Sequence, residues 1–290
     1  MVSHSCPNPI PARAGIGLRA QHYTDVLSQR PDVGWFEVHS ENYFGDGGRP
    51  LEYLQAIREH YPISLHGVGL SIGASDPISQ SHLSKLKNLI QRFEPGLVSE
   101  HLSWGSLQGR HFNDLLPMPY TQEALQHMVS RVTQVQEYLQ TRILIENVSS
   151  YLQYNCSTIP EWEFLVELAK KSGCGILLDI NNVFVNSKNH SFDAVDFINA
   201  VPAQLVHEIH LAGHTVKSFE DGEILIDTHN QLVSEPVWAL YQTAVQRFQQ
   251  VPALIEWDAD IPALEVLLDE ARQADKIMQF QTDRHHEHIA

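Results

Sequence analysis

Short apolar runs recur along the chain, and almost every one ends in an acidic residue or a histidine. The runs occupy residues 64–69, 97–104, 143–150, 176–182, 206–214 and 253–258. Each run begins with residues that favour a buried strand. If the runs are parallel strands of one sheet, the polar side chains at their carboxyl ends converge on one rim. So many carboxylates cannot share a low-dielectric pocket without cations, and the pattern therefore predicts a metal site.

The apolar runs alternate with amphipathic stretches over most of the chain. We expect strands near residues 14–18, 35–39, 63–67, 97–101, 143–147, 176–180, 206–211 and 253–257. We expect helices near residues 20–29, 50–60, 77–93, 121–140, 160–173, 192–199, 234–249 and 261–278. Eight β/α alternations in about 260 residues predict a single (β/α)8 TIM barrel in the α/β class. A doubly wound open sheet is the alternative, but it would spread the acidic residues along one edge.

The chain shows no linker, composition shift or internal repeat that would divide it. We therefore expect one metal-dependent catalytic domain over residues 1–278. The last stretch, 279–290, is polar, and we expect a disordered tail there. Long segments that follow predicted strands are expected to form loops at the mouth of the barrel. These segments are 41–50, 68–76, 102–120 and 212–233.

The bulk composition is that of a globular protein with an acidic surface. Of the 290 residues, 43% are hydrophobic and 19% are charged. The formal net charge of −16 disfavours binding to nucleic acid. Three cysteines without a CxxC pair argue against a disulfide scaffold or a thiolate zinc site and suit the cytoplasm. The first residues lack the features of a secretory signal, and no apolar stretch approaches the roughly 20 residues that span a membrane.

Strand periodicity limits which candidate ligands can face one interior. Alternate residues point alike, so only one residue of Glu100 and His101, and one of Glu146 and Asn147, is expected to reach the centre. Six donors come from six consecutive strands at the same end: His66, His101, Glu146, Asp179, His210 and Glu256. Four further candidates are Asn182, His214, Asp227 and His229. About ten donors exceed the roughly six positions of one ion, so we expect two or three metals, with Glu146 as a bridge.

Each donor taken alone has an ordinary structural alternative. A single histidine at a strand end is commonly a hydrogen-bonded core residue, and a single aspartate is commonly a helix cap or a turn residue. Asn181 and Asn182 could be turn formers. His39 and Glu41 could form a hydrogen-bonded cluster that supports the site. Oxygen and imidazole donors without thiolate favour iron or manganese over structural zinc.

Eight segments between Gly15 and Ala271 carry a specific resemblance to a known bacterial family. The segments are 64–73 (SLHGVGLSIG), 99–105 (SEHLSWG), 114–121 (DLLPMPYT), 144–152 (LIENVSSYL), 177–186 (LLDINNVFVN), 208–214 (EIHLAGH), 225–230 (LIDTHN) and 254–258 (LIEWD). In these motifs and in their order, the chain resembles the family of MbnB and TglH, long catalogued as uncharacterised.

The resemblance implies a xylose isomerase-like TIM barrel that holds two or three irons, as Fe2+ and Fe3+. It implies an oxidoreductase of the oxygenase or oxidase type that uses dioxygen to modify a cysteine of a ribosomally made precursor peptide. It also implies a small partner protein that presents the peptide, and a role in natural product biosynthesis. The substrate peptide and the product are not fixed by the motifs, because different members carry out different net reactions on cysteine.

By position, the resemblance distributes the candidate ligands over three ions. The first has His66, His101 and Glu146; the second has Glu146 as bridge, Asp179, His210 and Glu256; the third has Asn182, Asp227 and His229, with His214 nearby. The residues of the first two sets are also expected to carry catalysis. Residues expected to orient the ligands are Glu41, Asn42, Glu208 and Asp258.

Three other functions fit a barrel with such donors. A divalent-metal sugar isomerase or epimerase would need no oxygen, but it would need a lysine or histidine placed for proton transfer. A multi-zinc phosphodiester hydrolase shares the donor set, but the net charge of −16 disfavours it. A metal-binding scaffold without activity would need fewer donors than this chain offers. Metal analysis combined with oxygen uptake separates these alternatives.

Overall fold

The strands of the chain form one closed barrel and two small hairpins. The computed structural model describes residues 9–287, with side chains described through residue 281. In chain order the strands are β1 (Ala14–Gly17), β2 (Phe36–His39), β3 (Ile63–His66), β4 (Leu97–His101), β5 (Ser103–Leu107), β6 (Arg110–Pro117), β7 (Leu144–Glu146), β8 (Gly175–Asp179), β9 (Val206–Leu211), β10 (Thr215–Phe219), β11 (Gly222–Ile226) and β12 (Ala253–Ile255). Parallel pairing closes a barrel in the order β1-β2-β3-β4-β7-β8-β9-β12. The barrel confirms the predicted (β/α)8 fold class.

Helices cover the outside of the barrel, because each turns an apolar stripe toward the strands. They are α1 (Tyr23–Gln29), α2 (Arg49–Arg58), α3 (Gln80–Phe93), α4 (Gln122–Leu139), α5 (Glu161–Ser172), α6 (Ile180–His190), α7 (Ala194–Ala200), α8 (Glu235–Phe248) and α9 (Leu264–Glu287). In α4, Leu125, Met128 and Val132 are buried at helical spacing, and the Thr121 hydroxyl accepts the Ala124 N–H to cap the first turn. None of the helices within residues 9–287 is long and apolar enough to cross a membrane.

Two antiparallel hairpins occupy segments 102–120 and 212–233, where the prediction of loops was wrong. Strand β5 pairs with β6, and β10 pairs with β11. The Asp76 carboxylate accepts the N–H groups of Gln108 and Gly109 at 2.9 Å each, which holds the turn of the first hairpin. Both hairpins project from the rim and are largely exposed, so they lack the clean alternation of apolar and polar residues that reveals a packed strand.

One helix lies where the sequence suggested turn formers. Helix α6 begins directly after β8, because the Asp179 carboxylate accepts the Asn182 N–H at 2.6 Å and caps the helix. Asn181 and Asn182 are therefore helical. At the other end of the chain, α9 runs to Glu287, past the end expected at residue 278. The expected tail is thus helical as far as it is described, and residues 288–290 lie outside the described residues.

Apolar side chains fill the interior of the barrel toward the amino ends of its strands. Trp35, Leu144, Leu177 and Leu254 are buried, and each precedes a buried acidic residue by two positions in the chain. Strand alternation therefore places them on the same inward face, one layer below the acidic residues. A Cβ atom at Gly15 would lie 2.4 Å from the Trp35 ring, so glycine on β1 leaves the space that the indole fills. These four apolar side chains form a layer beneath the acidic residues, which we call the apolar floor.

Candidate metal centre

Six of the predicted ligands meet at the carboxyl ends of the barrel strands. They are His66 on β3, His101 on β4, Glu146 on β7, Asp179 on β8, His210 on β9 and Glu256 directly after β12. None of these residues is more than 6% exposed. They form two clusters that share Glu146, and within each cluster the ligand atoms lie within 4.8 Å of one another. Donors spread over about two hundred residues of sequence are thus neighbours in space.

The first cluster joins two imidazoles to one carboxylate oxygen. The His66 Nε2 and His101 Nε2 atoms are 3.2 Å apart. Glu146 Oε2 lies 3.4 Å from the first and 3.2 Å from the second. Two atoms bound about 2.1 Å from one ion stand about 3.0–3.4 Å apart, depending on the coordination geometry. The triangle therefore has the dimensions of three ligands around a single cation.

The tautomers of these two histidines leave both Nε2 atoms without a hydrogen. His101 Nδ1 lies 3.0 Å from the Gly67 carbonyl, which can only accept, so Nδ1 carries the hydrogen. His66 Nδ1 lies 2.8 Å from the Ser99 hydroxyl, which itself donates to the Leu65 carbonyl. Burial lowers the pKa of His101 to about 4 and that of His66 well below its ordinary value, so both rings are neutral. Two nitrogen lone pairs therefore face each other in a buried space, where they repel. A cation bound between them would accept both lone pairs and remove this repulsion.

The second cluster contains the other oxygen of Glu146 and three further groups. His210 Nδ1 lies 3.0 Å from Glu256 Oε2 and 3.9 Å from Glu146 Oε1. Asp179 uses one oxygen to cap α6, while its Oδ2 atom is buried with no hydrogen-bond partner among the described residues. One oxygen of Asp179 therefore caps a helix while the other is available to an ion. The structural alternative of a helix cap and the role of a ligand are compatible in this residue.

Electrostatics make the second cluster costly without a cation. Burial raises the pKa of Asp179 to about 8 and raises that of Glu146 well above its ordinary value. Burial opposes the ionisation of Glu256, but His229 and His210 outweigh it and lower the pKa of that carboxyl. Burial also opposes protonation of His210, yet the neighbouring carboxylates raise its pKa well above the usual value. Without metal ions, the protein must bind protons at this cluster to balance the negative charge of its carboxylates.

The third expected set is only partly assembled. His229 Nε2 lies 2.6 Å from Asp227 Oδ1, and His229 Nδ1 lies 3.5 Å from Glu256 Oε2. Burial opposes protonation of His229, but Asp227 and Glu256 raise its pKa well above the ordinary value. The imidazole thus pairs with acids. The Asn182 Oδ1 atom is buried with no partner in the described part of the chain, so it is also available to an ion.

His214 is not brought to the other candidate ligands. Its Nδ1 atom lies 2.8 Å from Asn181 Oδ1, and its ring packs against Phe184 at 5.1 Å between centroids. Asn181 in turn donates to Asp227 Oδ1 at 2.7 Å. His214 is therefore linked to the third set through Asn181.

The expected orienting residues divide into two that reach the ligands and two that do not. Asp258 Oδ2 lies 3.0 Å from His229 Nδ1, and Arg19 pairs with the other oxygen of Asp258. Glu208 Oε1 lies 3.7 Å from His210 Nε2. Glu41 instead accepts the backbone N–H groups of residues 68 and 69, and Asn42 is exposed.

Glu37 is a buried acid of the centre that the sequence reasoning did not single out. Its Oε1 atom lies 3.4 Å from His210 Nε2, and it is 2% exposed. The sequence carried a signal for it, because Glu37 precedes His39 by two positions on β2 and must share its inward face. By contrast, Glu100 points away from the centre, since its carboxylate accepts the Leu70 and His101 N–H groups.

A cavity of about 580 Å³ opens above the clusters. Among its walls are His66, His101, Glu146 and Glu256. Asp179 and His210 lie deeper and are fully buried. Residues 111–115 of the first hairpin form part of the rim. No lysine or arginine of the described residues lines this cavity, so it offers no positive charge to a phosphate group.

The closed barrel and the buried carboxylate–imidazole clusters define a TIM-barrel protein with a metal-binding centre. The family model of the RiPP precursor modification enzymes MbnB/TglH/ChrH matches residues 13–279. A UPF0276 protein of Acaryochloris marina is 52% identical over 262 residues, covering 90% of this chain and 93% of that protein. The chain therefore belongs to the MbnB/TglH/ChrH family, and family and fold together indicate an enzyme with a metal site.

Solved structures of other proteins share the fold at low sequence identity. A D-allulose 3-epimerase from Methylomonas sp. is 14% identical with a TM-score of 0.60, covering 97% of this chain and 100% of that chain. A xylose isomerase domain protein from Alicyclobacillus acidocaldarius is 14% identical with a TM-score of 0.59, covering 93% of this chain and 99% of that chain. These similarities show a xylose isomerase-like barrel and no more.

Proposed function

We propose that this chain is a multinuclear non-haem iron enzyme that uses dioxygen to modify a cysteine in a ribosomally made peptide, with a partner protein that presents the peptide. Membership of a family of RiPP precursor modification enzymes over residues 13–279 supports the substrate class. The observation that carries the metal proposal is the triangle of His66, His101 and Glu146, in which two neutral imidazole lone pairs meet a carboxylate oxygen at 3.2–3.4 Å.

We assign the ligands as the clusters group them. His66, His101 and Glu146 would hold the first ion, and Glu146, Asp179, His210 and Glu256 would hold the second. Asn182, Asp227 and His229 would hold a third ion more weakly, because His229 would first have to release the proton that its acidic neighbours hold on it. His214 supports this third set through Asn181 and is left out of the ligands.

The donor set fits iron. Carboxylates and imidazoles without thiolate suit an ion that changes oxidation state and keeps exchangeable positions. Bound iron would activate dioxygen and hold the substrate thiolate. The protein would contribute the remaining parts: Glu146 would serve both clusters, the apolar floor would keep water away from below, and the cavity of about 580 Å³ would admit a short peptide segment. Its wall of acids and imidazoles does not favour a phosphate substrate.

The test combines metal counting with oxygen uptake. Protein purified from iron-supplemented cells should carry two or more irons per chain. It should consume dioxygen when a synthetic cysteine-containing peptide is added, and not when serine replaces the cysteine. Stoichiometric zinc without oxygen uptake would instead support the hydrolase or the scaffold. Divalent metal with sugar turnover and no oxygen uptake would support the epimerase.

A further inference from the structure

The two ring nitrogens of His210 face different parts of the barrel. Nδ1 points toward the second cluster, 3.0 Å from Glu256 Oε2. Nε2 points away from it, 3.4 Å from Glu37 Oε1 and 3.7 Å from Glu208 Oε1. A neutral imidazole carries one hydrogen, so Nδ1 can offer a lone pair to an ion only if the hydrogen stays on Nε2. The group that accepts this hydrogen therefore decides whether His210 can act as a ligand.

The position of Glu37 suits it to accept this hydrogen. It lies on β2 between Gly17 of β1, which has no side chain, and Ser64 of β3. The Ser64 hydroxyl donates to Glu37 Oε2 at 3.1 Å, which fixes the carboxylate and leaves Oε1 directed at His210. A small rotation of either side chain brings the 3.4 Å separation within hydrogen-bond distance.

The surroundings offer few other partners to these groups. Glu37, Glu208 and His210 are each no more than 2% exposed. Both Glu208 oxygens and the His210 Nε2 atom lack a hydrogen-bond partner among the described residues. Trp35 and the other floor residues seal the barrel from below. At this depth the Oε1 atom of Glu37 needs a hydrogen-bond donor. The ring N–H of His210 faces it at 3.4 Å between the heavy atoms, closer than the 3.7 Å that separates the same nitrogen from Glu208.

We propose that Glu37 is a positioning residue of the metal centre: its carboxylate holds the hydrogen of His210 on Nε2 and thereby presents Nδ1 to the second ion. The inference rests on the proposed metal at the second cluster. It does not depend on iron, dioxygen or the peptide. Carboxylates that hold ligand histidines in this way also strengthen the metal bond, and their loss commonly lowers metal affinity about 10–100-fold.

The test titrates the full-length metal-free protein with Mn2+ and compares three variants. Glu37→Met removes the acceptor with little change in volume and should lower the affinity of one Mn2+ site about 10–100-fold. The other Mn2+ site, formed by His66, His101 and Glu146, should keep its affinity. Glu37→Gln retains a carbonyl acceptor without the charge and should fall between wild type and Glu37→Met. Glu161→Gln serves as the control and should bind Mn2+ like wild type, because the Glu161 carboxylate accepts a hydrogen bond from Asn186 and belongs to none of the described ligand clusters.

A spectroscopic measurement separates positioning from general packing. In the Co2+-loaded protein, the Nε2 hydrogen of a ligand histidine gives a shifted, slowly exchanging proton resonance. This resonance should persist in wild type and in Glu37→Gln and should be lost in Glu37→Met. Unchanged Mn2+ affinities and an unchanged resonance in folded Glu37→Met, checked by its melting curve, would overturn the proposal. If Glu37→Met does not fold, wild-type behaviour of Glu37→Gln in both measurements overturns it. A wild-type protein that binds no Mn2+ would overturn the metal proposal itself.

Discussion

Replacing Glu146 by glutamine should remove metal and at the same time stabilise the metal-free protein. Glu146 Oε2 stands 3.2 Å from His101 Nε2 and 3.4 Å from His66 Nε2. Both imidazoles are neutral with bare Nε2 atoms, so these three buried atoms share a hydrogen only when the carboxyl takes up a proton, which its raised pKa favours. Its Oε1 atom faces the second cluster, 3.9 Å from His210 Nδ1. Glutamine keeps the shape of the side chain, but it replaces an anion that serves two ions by a neutral amide.

The two effects have different sizes and opposite signs. The amide N–H2 group can donate to one of the two imidazoles at every pH, whereas the carboxyl donates only while protonated. Above the pKa of that carboxyl, satisfying a buried acceptor stabilises a protein by about 1–3 kcal/mol. At about 2–4 °C per kcal/mol, the chelated variant should melt roughly 2–12 °C above chelated wild type. The first cluster would retain only the neutral imidazoles of His66 and His101, so the variant should lose at least one ion per chain.

Metal is counted by mass spectrometry after gel filtration, and melting is followed by calorimetry in the presence of a chelator. Glu100→Gln is the matched control, because Glu100 is equally buried on the adjacent strand but accepts backbone N–H groups on the other side of the sheet. Its metal content should match that of wild type. Undiminished metal in Glu146→Gln, or an equal loss in the Glu100→Gln control, would refute the reasoning.

Three further outcomes are expected. Metal-free protein should lose stability as pH rises from about 4 to about 8. Burial raises the pKa of Asp179 to about 8, and a group with a raised pKa stabilises the fold only while it is protonated. Melting curves over this pH range should show the loss in the presence of a chelator and not with metal bound. Asp179→Asn should keep its helix, since asparagine is an equally good cap, and lose the second ion, as circular dichroism and metal counting would reveal. Gly15→Ala should cost about 1–3 kcal/mol in denaturant unfolding, because its Cβ overlaps Trp35. Gly17→Ala should cost less, because its Cβ would lie 3.2 Å from the nearest atoms, which belong to the end of the Arg19 side chain.

The barrel could be predicted because its signals are local. Each barrel strand is a short apolar run, and the structure places strands such as Leu97–His101 and Val206–Leu211 on the residues expected. The meeting of His66, Glu146 and Glu256 follows from the same pattern, since parallel strands in a closed barrel end at one rim. Side-chain alternation limited the choice to one residue of Glu100 and His101, and the structure places His101 at the centre.

Three features were harder to predict, one because a single residue has two local roles and two because they depend on contacts between residues distant in the sequence. Helix α6 follows β8 without a loop because Asp179 is both the end of the strand and the cap of the helix, so no polar turn marks the boundary. Glu37 lies in a short strand whose single acidic residue resembles a surface position until His210 is placed opposite it. The separation of His214 from the centre depends on its contact with Asn181, which spacing along the chain does not reveal.

The arrangement of the centre also implies an order of binding. The floor that includes Trp35 and Leu254 closes the barrel from below, so on the proposed function ions and substrate would share the cavity at the mouth as their route. Glu146 and Glu256 line that cavity, whereas Asp179 and His210 lie beneath its wall, so an ion held by the second cluster would lie deeper than the cavity surface. A peptide seated in the cavity would cover both clusters. On the proposed function, metal loading should therefore precede substrate binding, because a bound peptide would close the route for the ions. The buried acids, which are costly without a cation, would favour binding of the ions.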